Sequence, residues 1–333
     1  MKVLMLGHSE VEKFLPMSHC IDLMEETLQA VSAGEAVQPL RTRMPLPGGK
    51  GIIGLMPGYL GNIPAAGVKV ISVFLGNTGT RFESHQGPVL LYEPEHGQLL
   101  ALADAATITA IRTAAVSGAA TRHLARQGPV DLAILGSGTQ ALLHVAAVRA
   151  VRDVSRLRIW SRNQEHARRF VELVGEQHGL PVEVMPDVEQ AVAGADVVCT
   201  TTSAREPILE GAWLSPGTHV NAVGASAQGF RELDGQAVAR SRLFVDLRES
   251  AANEADEIRV PMAAGEIGSG HIQGELGELF AGKVAGRRSD EEITLFKSLG
   301  LAVEDVAAVH AVYSRAKAAG GGIEVEFSGE RTE

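Results

Sequence analysis

Residues 130–141 read VDLAILGSGTQA, an apolar run that breaks at once into Gly136-Ser137-Gly138-Thr139-Gln140-Ala141. No other segment restricts the fold as much. A short buried strand running straight into G-x-G-x-x-A and a helical pattern is the fingerprint of a βαβ unit that binds a dinucleotide. Gly136 allows the tight turn, Gly138 lets the backbone approach a pyrophosphate, and the small Ala141 lets helix and strand pack closely. The pyrophosphate would sit on the positive end of the helix that begins near Thr139. Glycine turns are common, so a purely structural turn is the competing reading. The flanking strand and helix favour the first.

Downstream the same alternation continues. Strands are expected at 157–161, 181–185, 196–201, 219–223 and 243–246, with helices at 139–151, 164–178 and 187–193. Alternation with short links predicts a doubly wound parallel sheet. Two further helices are expected at 290–299 and 303–319, and the glycine-rich, then charged tail after Gly320 is expected to fray. Upstream the pattern differs. A strand at 3–6 precedes a short helix with Ser9 and Glu12 as its capping box, then a helix at 18–33. Short strands follow in RTRMPL, GIIGLMPGYL, GVKVISVFL, PVLLYE and LLALAD, punctuated by Gly and Pro. Glu93-Pro94-Glu95-His96-Gly97 reads as the turn joining the last two. A small-residue helix at 105–126 bridges this α+β part to the α/β part, so the fold class is α/β with a Rossmann domain and a second, α+β unit.

A chain of 333 residues suggests two domains, and its 45% hydrophobic content is ample for two cores. The formal charge of -10 argues against nucleic acid, which needs a basic face, and equally against anionic lipid. Cys20 and Cys199 are the only cysteines, too few for a disulfide framework or a thiolate cage. No stretch approaches the roughly 18 apolar residues of a membrane span, and no targeting segment is evident. The expectation is a cytoplasmic protein with no membrane or nucleic-acid partner. No metal site is indicated: His144 and His166 lack a partner at ligand spacing. The run Glu249, Glu254, Asp256 and Glu257 reads as a solvated face.

Cofactor choice is decided at the end of the second strand of the βαβ unit. Users of NAD tend to place an acid there, about 20 residues past the glycines, on the ribose 2′-hydroxyl. This chain has Trp160-Ser161-Arg162-Asn163 instead. A hydroxyl followed by a guanidinium suits a 2′-phosphate, so NADPH is favoured over NAD; an ordinary surface arginine is the alternative. Thr200, Thr201 and Thr202 end the fourth strand at the sheet's carboxyl edge, where their hydroxyls contact ligand or merely cap a turn. Val223 to Ser226 end the next strand there, with residues small enough for a flat ring to approach. In the first third, Arg41, Lys69 and Arg112 lie among apolar or small residues. Each alone reads as an edge or snorkelling charge. Together, beside a dinucleotide site, they suit a clamp for a carboxylate-bearing substrate.

The stretches GVKVIS around Lys69, SHQGPVLLYEPEHGQLLALAD, AIRTAAVSG around Arg112, LGSGTQA, VNAVGASAQGFRELD and FKSLGLAVEDVAA occur in an order and spacing that resemble the ornithine cyclodeaminase/mu-crystallin family. The resemblance implies a substrate and dimerisation domain over 1–115 with 305–333, an NAD(P)-binding Rossmann domain over 116–304, and a homodimer. It implies that Arg41, Lys69 and Arg112 face the carboxylate of a small imino- or amino-acid substrate, with Lys69 near the reacting carbon. It also implies cofactor contacts from Ser84, His85, Arg112, Thr113, Gly136, Gly138, Thr139, Gln140, Ala141, Ser161, Arg162, Asn163, Thr200, Thr201, Thr202, Val223 and Lys297. One departure matters. The cyclodeaminase branch has an aspartate two residues after the glycine that follows Val223, and here Ser226 stands in its place. A hydroxyl supplies neither that charge nor a comparable base. The resemblance therefore implies NADPH-dependent reduction of imino acids or ketimines, such as Δ1-pyrroline-2-carboxylate or Δ1-piperideine-2-carboxylate, with Ser226 orienting the imine. Three alternatives stay open: an alanine-dehydrogenase-type enzyme, ornithine cyclodeamination, and a binding protein that holds NADPH and a ligand without turnover.

Overall fold

The computed structural model describes residues 1–77 and 80–329 and divides into two compact units, Met1–Arg112 with Leu301–Glu333, and Thr113–Gly300.

The first unit is built on strands β1 (Lys2–Leu6), β2 (Ala36–Val37), β3 (Thr42–Pro45), β4 (Ile52–Leu60), β5 (Ala65–Val73), β6 (His85–Gln86), β7 (Pro88–Tyr92) and β8 (Leu99–Asp104). With β17 (Ile323–Glu326) they form a nine-stranded sheet whose main path is β17-β1-β8-β7-β5-β4-β2. Only the β1–β8 pair is parallel. The two faces differ. On β5 the residues Ala65, Gly67, Lys69 and Ile71 are buried, while Ala66, Val68 and Val70 are half-exposed. The buried face is covered by the helix Ala302–Ala319, which approaches so closely that a Cβ on Gly67 would meet Val306 Cγ2 at 2.8 Å and one on Gly58 would meet Val303 Cγ1 at 3.0 Å.

Three expectations for this unit are corrected. The glycine-rich part of the tail is ordered through Glu326: Gly320 (φ 65°) ends the helix, Gly322 (φ 80°) turns the chain, and Ile323–Glu326 pairs antiparallel with β1. Its I-E-V-E alternation is the period of a strand; residues 330–333 lie outside the described residues. The short helix His8–Phe14 is preceded by Gly7 with no side-chain cap, so Ser9 and Glu12 form no capping box. Lys69 is not an edge charge but 3% exposed on the helix-covered face. The hairpin turn at 93–97 is as expected, and the Glu93 carboxylate accepts the backbone N–H groups of Glu95 and His96 (3.1 Å for the latter). Glu93, Glu95 and His96 are also the one group of possible metal ligands among the described residues, and the hydrogen bonds show a turn cap.

The second unit contains β9 (Val130–Leu135), β10 (Val154–Trp160), β11 (Val182–Val184), β12 (Val197–Thr200), β13 (His219–Ala222), β14 (Arg242–Val245), β15 (Ile272–Glu275) and β16 (Thr294–Lys297). They form an eight-stranded, all-parallel sheet in the order β11-β10-β9-β12-β13-β16-β14-β15. The order reverses between β9 and β12, so this is the topological switch point at which open α/β sheets bind ligands. Residues 290–299 were expected as a helix and instead supply β16, a central strand. Residues 293–298 are all buried, polar Thr294, Lys297 and Ser298 included, so a strand covered on both faces shows no alternation of period two to distinguish it. The acidic run is corrected as well: Glu254 and Glu257 are 8% and 1% exposed. No helix among the described residues is long and apolar enough to cross a membrane.

Candidate active site

In the second unit the glycine loop has the geometry its sequence demands. Gly136 has φ +120°, and a Cβ there would meet Thr201 Oγ1 at 2.7 Å and its carbonyl oxygen at 2.9 Å, so no other residue fits. Gly138 precedes the helix Thr139–Arg149 without a side-chain cap, which leaves the first N–H groups of that helix to an outside acceptor. A Cβ on Gly138 would meet nothing within 4 Å: the space above the loop is open. Ala141 is fully buried against the sheet. Open space, uncapped amides and a tight first turn together fit a dinucleotide pyrophosphate.

At the end of β10, Ser161 is buried and its Oγ lies 2.8 Å from Ser137 Oγ, tying this strand end to the glycine loop. Asn163 caps the helix Gln164–His178, its Oδ1 accepting the N–H groups of Glu165 (2.9 Å) and His166 (3.3 Å). Arg162, between them, is exposed and makes no hydrogen bond or ion pair with the described residues. Its backbone lies between two anchored neighbours, and an exposed guanidinium is free to meet an anion.

The threonines behave differently from expectation in one respect. Thr201 Oγ1 donates to the Leu135 carbonyl at 3.2 Å, while Thr200 and Thr202 donate to Glu232 at 2.7 Å each. Their protons serve the protein. Glu232 is completely buried, and burial pushes its carboxyl up against the pull of Lys297 and the threonine donors. Lys297 is 1% exposed; its Nζ donates to the Ala225 carbonyl at 2.6 Å and lies 3.3 Å from Glu257 Oε1. Val223 is buried and Ser226 half-buried in the loop that this lysine holds.

In the first unit the three basic residues gather. Asp104 caps the first turn of the helix Ala105–Leu124, accepting Thr107 N–H at 2.8 Å, and Arg112 follows two turns on. Arg112 donates from Nε to Asp305 Oδ1 (3.0 Å) and from Nη1 to Glu304 Oε2 (2.8 Å). Lys69 Nζ sits 2.7 Å from Asp305 Oδ2 and 3.3 Å from Thr109 Oγ1. Burial lowers the Lys69 pKa to about 8; Arg112 and Arg41 push the same way, and Asp305 opposes them. Burial acts to raise the Asp305 carboxyl, but the charges of Arg112 and Lys69 outweigh it and hold the group below its ordinary range. Arg41, half-buried, is thus near enough to act on the Lys69 charge. In the same unit Ser84 Oγ and His85 Nδ1 lie 2.9 Å apart, with His85 exposed. Thr113, the first residue of the second unit, is buried in the helix that carries Arg112.

Sequence reasoning missed Glu304, Asp305, Glu232 and Glu257, all buried. A signal existed for the first two: an adjacent acid pair in the opening turn of the otherwise apolar helix LAVEDVAAVHAV. An acid at that place is either solvated or the counter-ion of something buried, and only packing distinguishes the two.

The family model for the ornithine cyclodeaminase/mu-crystallin family matches residues 1–320. The chain belongs to that family. Within it, this member is 35% identical over 326 residues to the Δ(1)-pyrroline-2-carboxylate reductase of Bacillus cereus, covering 98% of this chain and 100% of the relative. It is 41% identical over 280 residues to the ketimine reductase mu-crystallin of Mus musculus, covering 84% of this chain and 85% of that one. The structure of Thermococcus litoralis Δ(1)-pyrroline-2-carboxylate reductase in complex with NADH and L-proline superposes with a TM-score of 0.94 at 37% identity, over 97% of this chain and 100% of that one.

Proposed function

We propose that this protein is an NADPH-dependent reductase of imino acids or ketimines, with cyclic imine carboxylates such as Δ1-pyrroline-2-carboxylate as substrates and L-amino acids as products. The observation that carries the reading is the buried Lys69, held as an ammonium beside Asp305 and in the field of Arg112 and Arg41, in a chain similar to named imine reductases. When bound, a reduced nicotinamide supplies the hydride that adds to the C=N carbon. Arg41 and Arg112 hold the carboxylate, and Glu304 and Asp305 fix the plane of the Arg112 guanidinium. Lys69 keeps the imine nitrogen protonated, since a protonated C=N is much the better acceptor; a pKa of about 8 lets it give up a proton near neutrality. Ser226 orients the N–H. The test is an initial-rate panel of cyclic imines, acyclic imines, pyruvate with ammonia, and ornithine, each with NADPH and NADH. Turnover confined to pyruvate with ammonia would make the protein an alanine-dehydrogenase-type enzyme, and no turnover with tight cofactor binding a binding protein.

The preference for NADPH rests on Arg162 and on the hydroxyl of Ser161 in place of an acid. Arg162→Ala is expected to raise KM for NADPH by about tenfold to a hundredfold, the worth of a charge-assisted contact, and to leave KM for NADH within about twofold. Equal effects on both cofactors would remove Arg162 from the 2′-phosphate.

The reading includes a cytoplasmic homodimer. Support for the dimer comes from the sheet face of the first unit that the C-terminal helix does not cover. Leu55 (42% exposed) and Ile323 (69%) flank half-exposed Val68, Val70, Leu90, Leu102 and Met5 on that side. A broad apolar face of this kind marks an interface. Leu55→Lys is expected to convert a dimer to a monomer in sedimentation at micromolar protein; a wild type that sediments as a monomer would refute the assembly.

A further inference from the structure

We propose that Glu232 is a positioning residue for the cofactor: a single buried carboxylate that locks the loops after β12 and β13 together so that they present a fixed wall to a bound dinucleotide. The inference rests on the cofactor reading above.

Glu232 has no exposed surface, yet every group that satisfies its side chain comes from the last residue of β12 or from those two loops. Oε1 accepts Thr202 N–H (2.6 Å) and Thr202 Oγ1 (2.7 Å); Oε2 accepts Thr200 Oγ1 (2.7 Å) and Gly224 N–H (2.7 Å). Each oxygen therefore takes one backbone N–H and one hydroxyl. A carboxyl group offers an accepting oxygen on both sides, whereas an amide has one accepting end and one donating end. The loops meet closely, since a Cβ on Gly224 would lie 2.0 Å from the Thr202 carbonyl oxygen. A second set of buried charges stands behind. Glu257 Oε1 accepts the Glu232 backbone N–H at 3.1 Å and pairs with Lys297, whose Nζ holds the Ala225 carbonyl. Both loops leave the carboxyl ends of neighbouring strands beside the switch point, where a ligand binds in this class of sheet. Buried charges contribute little net stability compared with apolar side chains of the same volume. What four convergent donors do provide is a unique loop geometry.

The experiment measures NADPH binding by calorimetry on the full-length protein, with thermal stability and the imine KM at saturating cofactor alongside. Glu232→Gln is expected to raise the Kd for NADPH by about tenfold or more, because one side of the carboxylate meets donors with a donor. The imine KM should rise less than the NADPH Kd, since Arg41, Lys69 and Arg112 are untouched and Ser226 is the one proposed substrate contact on the affected loops. Thr200→Val is expected to raise Kd by about threefold, although Thr200 is fully buried and can act only through Glu232. The double variant should bind no more weakly than Glu232→Gln alone, because both changes break one network. A lowered melting temperature with unchanged Kd, or effects that add in full, would overturn the proposal. If Glu232→Gln fails to fold, an unchanged Kd in Thr200→Val overturns it alone. A wild type that binds neither NADPH nor NADH sinks the cofactor reading itself, before any variant is compared.

Discussion

Replacing Lys69 with alanine is expected to lower kcat/KM for a cyclic imine by about three orders of magnitude, within the range for loss of a positioned proton donor. The reasoning starts from burial. An ammonium on a helix-covered sheet face loses its hydration, and burial with two nearby guanidinium groups brings its pKa down to about 8. Asp305 at 2.7 Å keeps it from falling further. The sign of the pH dependence follows. Turnover needs the ammonium, so the wild-type rate should be full below the Lys69 pKa and fall as pH rises through about 8. Lys69→Ala should lack that limb and run at a low, flat rate. Measuring kcat and KM separately across the pH range decides what Lys69 does. A loss in KM alone, with kcat and the alkaline limb intact, would reduce Lys69 to a carboxylate contact.

The second large effect is on stability. Asp305→Asn should destabilise the protein by about 3–5 kcal/mol, the usual cost of removing one partner from a buried ion pair. Asp305 is 0% exposed and serves both Lys69 and Arg112, so its loss leaves two buried cations with Glu304 as the remaining carboxylate of the pair. The urea midpoint at pH 7 reports this directly. The same variant has a kinetic signature: with the Asp305 charge gone, the Lys69 pKa drops and the alkaline limb moves to lower pH. A variant with an unchanged midpoint and an unmoved limb would show that Asp305 does not govern the cluster.

Much of the nucleotide half was legible in the chain. The Gly136 turn, the open Gly138 and the buried Ala141 follow from local rules, because a backbone that must bend sharply and approach a phosphate tolerates almost no other residues. The strand–helix alternation likewise placed most of the parallel sheet. The exceptions were β15, where no strand was expected, and β16, where a helix was; for β16 the reason is general, since a strand buried on both faces carries no period. The substrate half was less legible. Lys69, Arg112 and Arg41 were singled out as unusual charges, but nothing local told whether Lys69 faced solvent or the C-terminal helix. The two carboxylate partners of Arg112, one of them shared with Lys69, lie more than 190 positions from it in the chain.

What the sequence determined unaided was therefore everything governed by short-range backbone sterics and by the periodicity of apolar residues: the dinucleotide turn, the serine–arginine pair after β10, and the family to which the motifs belong. Tertiary structure alone decided which charges are neutralised and by what. Glu304 and Asp305 reach Arg112 and Lys69 only because the C-terminal helix returns across the first sheet over Gly58 and Gly67. Glu232 reaches four donors only because β12 and β13 lie side by side. Electrostatic partnership depends on distance and dielectric, and both are properties of the folded chain rather than of its letters.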